Sequence, residues 1–187
     1  NKGDIVIIAF DLDGVLYNWH RAVYSYLTEQ GKELPSYEEL WKNFDSLFTS
    51  DEVCFLLSLP TLYDKMFPEK GLIEYLQKLS DYGHTIYYIT SRRNELETTT
   101  ELYLNRYKFP QIRNLIFSAE KEKYARLLEI DIFIEDQYKY AEKLKNICKT
   151  ILRRQPWNIQ YEGMFDYINT IPELDKYLYP ELLDKQL

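Results

Sequence analysis

The architecture of the chain follows from Ile5-Val6-Ile7-Ile8-Ala9-Phe10-Asp11-Leu12-Asp13-Gly14, an apolar run that turns polar at a single point. Residues 4–10 read as a short strand buried on both faces. Two carboxylates stand at its carboxyl end, and Gly14 permits the sharp turn that such a loop needs. Further apolar runs follow at 85–89, 115–117, 132–134 and, more weakly, 150–152. Between them lie helical patterns. Residues 71–82 carry Leu72, Ile73, Leu76 and Leu79 on one face and stop at Gly83. Asn94 is placed to cap a helix over 95–107, and 120–128 and 138–146 follow the same logic. Strands alternating with helices of this length predict an α/β fold, a doubly wound, Rossmann-like parallel sheet.

One stretch interrupts the alternation. From Tyr17 to Phe67 only helix-like segments occur: 18–30, then a capping box at Ser36-Tyr37-Glu38-Glu39 opening a helix to about 46, then 51–58 before Pro60. That is too long for an ordinary strand-to-helix connection. It reads as a helical lid over the carboxyl end of the first strand. A second capping box, Thr170-Ile171-Pro172-Glu173, precedes a final short helix.

Composition bounds the rest. With 187 residues, 45% hydrophobic and 28% charged, the chain has globular proportions, which excludes disordered and low-complexity classes. The run 5–10 falls far short of the ~18 residues of a membrane span. Asp11 and Asp13 follow it where a secretory signal would carry a small-residue cleavage site. Cys54 and Cys148 have no CxxC spacing, so they read as core thiols in a reducing cytoplasm. The net charge of −7 argues against stable nucleic-acid binding, which rests on Lys and Arg. The sequence begins at Asn1, which leaves the native N-terminus open.

In open α/β sheets, ligands bind outside the carboxyl ends of the strands. The first run delivers Asp11 and Asp13 there, and the second Thr90-Ser91-Arg92-Arg93. The third delivers Ser118, with Lys121 and Lys123 close behind, and the fourth Glu135-Asp136. Carboxylates converging in a partly buried site repel, and one must stay protonated unless a cation intervenes. Hard oxygen ligands on few residues, with room for water, suit Mg²⁺.

Asp11-Leu12-Asp13-Gly14-Val15-Leu16 after an apolar strand resembles the first signature of the haloacid dehalogenase-like (HAD) superfamily of phosphohydrolases. Thr90 matches its second and Glu135-Asp136 its fourth. The third is a lysine, for which Lys121 has the better spacing and Lys123 is the alternative. The closer likeness is to the 5′(3′)-deoxyribonucleotidase-like group, which shares the DxDGVL start, a Thr-Ser second motif and a small helical cap. Gln155-Pro156-Trp157-Asn158 resembles that group's downstream aromatic-Asn segment. The chain departs from the pattern in carrying Glu135 where Asp is usual, and in Arg92-Arg93. The resemblance implies a core over 1–16 and 68–187 and a cap of the first class over 17–67.

The same resemblance implies that Asp11 attacks phosphorus to form an aspartyl-phosphate, while Asp13 serves as acid and then base. Mg²⁺ is then held by Asp11, Asp136 and the backbone carbonyl of Asp13, with Glu135 outside this shell. Thr90 then hydrogen-bonds a phosphoryl oxygen, and Lys121 offsets charge on the intermediate and orients Asp11. The expected substrate is a (deoxy)nucleoside monophosphate, contacted by Tyr17, Trp19, Ser91 and Arg92. Trp41, Phe44, Phe48 and Phe55 enrich the cap in aromatic surface, and His20 and His84 read as structural. The expected partner is a small phosphorylated molecule, without membrane binding, and a homodimer is the assembly admitted. Another small phosphoester, such as a phosphosugar or a 3′-phosphate, is the alternative substrate. A receiver-type phospho-acceptor is opposed by the helical insertion, and a silent binding protein by the complete set of chemical groups.

Overall fold

Six parallel strands form one sheet in the order β3-β2-β1-β4-β5-β6 in the computed structural model, which describes residues 5–179 with the Asp45 side chain excepted. They are β1 (Ile7–Phe10), β2 (Thr85–Thr90), β3 (Leu115–Phe117), β4 (Ile132–Glu135), β5 (Lys149–Arg153) and β6 (Asp166–Ile168). The central strand β1 pairs Ile8 with Ile86 on one side and with Ile132 on the other. The outermost parts of the expected core, residues 1–4 and 180–187, lie outside the described residues.

Alternate side chains of a strand point to opposite faces, and both faces of this sheet are covered. Ile8, Phe10, Ile86, Tyr88 and Ile134 pack under α6 (Leu72–Asp81) and α7 (Glu97–Arg106), through Leu76, Leu79 and Leu104. Ala9, Ile89 and Phe133 face the other way, against Ala125 of α8 (Lys121–Leu127) and Leu144 of α9 (Tyr138–Leu144). The doubly wound expectation therefore holds. β6 is an addition: three residues opening on Asp166 give no apolar run, yet its Ile168 is fully buried.

Between β1 and α6 the chain forms α1 (Trp19–Glu29), α2 (Tyr37–Lys42), α3 (Phe44–Leu47), α4 (Ser50–Ser58) and α5 (Pro60–Tyr63). Ser36 caps α2, accepting the Glu39 N–H at 3.3 Å. The expected helix to residue 46 breaks at Asn43, whose side-chain amide donates to the Glu39 carbonyl at 3.0 Å and closes α2 locally. Thr49 and Glu52 form a reciprocal capping box that opens α4. Pro60 ends α4 and also supplies the first residue of α5, where its missing N–H costs nothing. Asn94 does not cap by its side chain; a 3₁₀ turn, Asn94–Leu96, leads into α7 instead. The box at Thr170 and Glu173 forms, over a 3₁₀ turn that leads into α10 (Asp175–Leu178). Among the described residues no helix is long and apolar enough to cross a membrane.

Candidate active site

The order of strands places the chemistry. β1 lies between β2 and β4, so residues leaving the carboxyl ends of these three strands converge at the point where the winding reverses. Asp11 leaves β1, Thr90 closes β2, and Glu135 and Asp136 close and follow β4. All four are buried. Leu12, fully buried, points into the core, so Asp11 and Asp13 remain on the side of the strand ends.

Lys121, the first residue of α8, is sealed from solvent and reaches two carboxylates. Its Nζ lies 2.7 Å from Asp11 Oδ1 and 2.7 Å from Glu135 Oε2. Lys123 lies on the exposed side of the same helix and pairs with Glu120 at 3.6 Å. The other Glu135 oxygen accepts the backbone N–H groups of Asp136 and Gln137, both at 3.0 Å. Glu135 thus grips Lys121 and the start of the following loop at once.

Asp136 is held by the segment after β5. Trp157 Nε1 donates to Asp136 Oδ2 at 3.0 Å, and Asn158 donates to the carbonyls of Asp136 and Arg153 at 2.8 Å each. Gln155 Nε2 donates to the Gly14 carbonyl at 2.6 Å, tying the same segment to the loop after β1. Gly14 has φ +80°, and a Cβ there would stand 2.4 Å from Asp136 Oδ2. The loop and Asp136 approach this closely only because that position is glycine. His20 packs against Trp157 at a tilt of 36° with centroids 4.2 Å apart, and burial pushes its imidazole pKa down to about 3. It is a neutral wedge behind the tryptophan.

Carboxylate oxygens of Asp11, Glu135 and Asp136 lie within 4.8 Å of one another. Three buried carboxylates face one ammonium, so charge is left uncompensated. Burial pushes the Asp11 carboxyl up to about 7 against the pull of Lys121, with Glu135 and Asp13 adding to the rise. Burial first, then Glu135 and Asp11, drive Asp136 well above the usual carboxylate range. Burial alone would lower the Lys121 pKa, yet Asp11 and Glu135 hold it above its ordinary value. Asp136 Oδ1 is buried without a hydrogen-bond partner among the described residues. An oxygen-rich, electron-pair-rich pocket of this kind fits a hard divalent cation.

Asp13 is treated differently. Its two oxygens accept from Arg92 Nε at 2.8 Å and from Nη2 at 2.6 Å, a bidentate pair. Arg92 Nη1 also donates to the Tyr63 hydroxyl and to Thr100 Oγ1, both at 2.9 Å. Arg92, expected at the substrate, makes these four hydrogen bonds within the protein and also lines the cleft beside Asp11 and Asp13. Tyr17 is buried beneath it, the guanidinium carbon 5.3 Å from the ring centroid. Trp19 and Ser91 do line the cleft beside Asp11, about 440 Å³ in volume, together with Phe44, Phe48 and Lys139. Trp41 packs beside Trp19 and Phe44, whereas Phe55 is exposed. A wider concavity along α6, near Ile73, Tyr82 and Lys108, holds none of these groups.

Residue type alone gives no signal that places Tyr63, Thr100 and His20 at the site, and for Trp157 and Asn158 the sequence offers only the resemblance of 155–158.

The family described as "5′ nucleotidase, deoxy (Pyrimidine), cytosolic type C protein" matches residues 5–170. The chain belongs to this family. Within the curated proteins, "Putative nucleotidase OB0422" of Oceanobacillus iheyensis is 28% identical over 93 residues, 47% of this chain. The match spans 50% of that relative's length. A HAD family hydrolase from Deinococcus radiodurans, solved with bound phosphate and sodium, superposes with a TM-score of 0.65 at 17% identity. It covers 96% of this chain and 97% of its own. A HAD phosphatase from Thermococcus onnurineus gives 0.62 at 16% identity, covering 94% and 98%. These likenesses show the fold. The family and the superposed structures agree on a HAD-like fold, and Asp11, Lys121, Glu135 and Asp136 meet at the carboxyl ends of β1 and β4 of that fold.

Proposed function

We propose that the chain is a Mg²⁺-dependent phosphomonoesterase that dephosphorylates (deoxy)nucleoside monophosphates through a phosphorylated Asp11. The observation that carries this is Asp11 itself, a buried carboxylate with Lys121 at 2.7 Å and an unpartnered oxygen of Asp136 nearby. Family membership supports phosphate-ester chemistry, and the aromatic cleft beside Asp11 supports a nucleoside as the leaving group.

In the first half of this reaction Asp13 enters as the carboxylic acid: an Asp11 oxygen bonds to phosphorus, the ester P–O bond breaks, and the departing oxygen takes the Asp13 proton. In the second half, water gives its proton to Asp13 and bonds to phosphorus. The Asp11–phosphorus bond breaks, returning both carboxylates to their starting forms. Thr90 donates its hydroxyl to a phosphoryl oxygen, and Lys121 offsets charge and keeps Asp11 aimed. Asp11, Asp136 and the Asp13 carbonyl are the groups that hold Mg²⁺, with Glu135 behind them; when bound, the ion neutralises phosphoryl charge. Residues 17–67 act as the cap, with Trp19 and Ser91 at the substrate. The cytosolic description of the family supports a cytoplasmic setting.

The test is phosphate release from nucleoside 5′- and 3′-monophosphates and sugar phosphates, with Mg²⁺ and with chelator. Metal-dependent release concentrated on deoxynucleoside monophosphates is expected. Release from sugar phosphates alone would overturn the substrate, and no release from any would overturn the activity.

A further inference from the structure

Arg92 joins three parts of the molecule that sequence keeps apart. It follows β2, and its side chain is 1% exposed. Two of its nitrogens grip both oxygens of Asp13, in the loop after β1. Its third nitrogen binds Tyr63 of α5, in the helical insertion, and Thr100 of α7, in the layer that covers the sheet. Tyr17 and Tyr63 supply ring faces 5.3 Å and 5.8 Å from the guanidinium carbon. A buried guanidinium is planar and rigid, so a shift at one partner is passed to the others. Asp13 is 15% exposed and opens on the cleft, and both of its carboxylate oxygens accept from this side chain.

We propose that Arg92 is a positioning residue that aims the Asp13 carboxylate at the leaving oxygen and couples that aim, through the Tyr63 hydroxyl, to the seating of the helical insertion. This rests on the phosphatase reading above. It assigns Arg92 to the acid–base step, not to a direct contact with substrate. Lysine cannot replace it, because a single ammonium cannot hold two carboxylate oxygens, a hydroxyl and Thr100 in fixed directions.

The experiment compares kcat/KM for a deoxynucleoside 5′-monophosphate, whose alkoxide needs a proton to leave, with p-nitrophenyl phosphate, whose phenolate does not. Because kcat/KM reports transfer of the phosphoryl group to the enzyme, a slow second half does not mask the effect. Arg92→Lys is expected to lose about 10²-fold on the nucleotide and less than tenfold on the aryl ester. Tyr63→Phe, which keeps the ring and removes one hydroxyl, is expected to move the same ratio by a smaller factor. A merely structural role lowers both rates together. An unchanged ratio in Arg92→Lys would overturn the positioning role, as would a rise in the nucleotide rate. A wild-type ratio in Tyr63→Phe would overturn the coupling to the insertion. A wild-type protein that hydrolyses neither ester would instead remove the phosphatase reading on which both depend.

Discussion

Lys121 Nζ lies 2.7 Å from Asp11 Oδ1, with both side chains at 5% exposure or less. The pair is incomplete as an electrostatic unit, because Glu135 shares the same ammonium and Asp136 stands beside it without one. Asp11 takes up its proton near 7 in the folded protein, against 3.8 ordinarily. The folded state therefore binds more protons than the unfolded state over about pH 4–7, and metal-free stability falls as pH rises through that window. A bound divalent cation removes this loss. Calorimetry of the chelated protein is expected to show a falling Tm from pH 5 to 8, and Mg²⁺ a larger Tm gain at pH 8 than at pH 5. Equal gains at the two values would contradict the charge imbalance.

Removing the shared ammonium isolates its role. Lys121→Met leaves two carboxylates buried and facing each other, and breaking a buried pair in this way costs about 3–5 kcal/mol. The cost is expected to be greater at pH 8 than at pH 5, where Asp11 can neutralise by protonation. Urea unfolding at the two values measures it. Lys123→Met, on the exposed face, is expected to change stability by less than about 0.5 kcal/mol.

His20 is neutral in the fold and charges in the unfolded chain below its ordinary value of 6.5. The folded state then binds fewer protons, so this contribution is complete above 6.5 and is lost as pH falls toward 3. Displacement from 6.5 to about 3 corresponds to about 5 kcal/mol at the acid limit. His20→Phe keeps an aromatic wedge against Trp157 and removes the titration. Its stability relative to wild type is expected to improve steadily from pH 7 to pH 4, and a constant difference would refute the buried neutral imidazole.

Trp157 supports Asp136 through one N–H. Trp157→Phe keeps most of the ring and loses that donor, freeing the carboxylate to rotate. Partners that orient metal ligands are commonly worth 10–100-fold in affinity. Calorimetric titration with Mg²⁺ is expected to show a loss in that range with the thermal transition largely retained. Unchanged affinity would show that Asp136 is fixed by other contacts.

The extent to which this site could be read from sequence depended on how local each placement is. Asp11, Asp13, Thr90, Glu135 and Asp136 stand where apolar strands end, and strand ends are visible in a short window. Lys121 and Lys123 both follow the third strand, and spacing favours Lys121 without excluding Lys123. Helix phase separates them: two positions are more than half a turn apart, so Lys121 faces the site and Lys123 faces solvent. Arg92 was legible as a cation at a strand end but not as the partner of Asp13, because Tyr63 and Asp13 reach it only through the tertiary fold. His20 with Trp157, and Gly14 with Asp136, likewise meet across long separations. In the fold, β6 is not legible in the sequence, because three residues with one buried side chain leave no pattern. The break at Asn43 depends on a side-chain bond that competes with the helix.

Capture of the intermediate tests the central claim most directly. Wild-type protein turning over a deoxynucleoside monophosphate with Mg²⁺ is treated with borohydride, which reduces an acyl phosphate to an alcohol, and peptide mass spectrometry locates the change. Conversion of Asp11 to homoserine, absent without substrate, is the predicted result. Rapid phosphate release with Asp11 unmodified, or with the change at another carboxylate, would contradict the account.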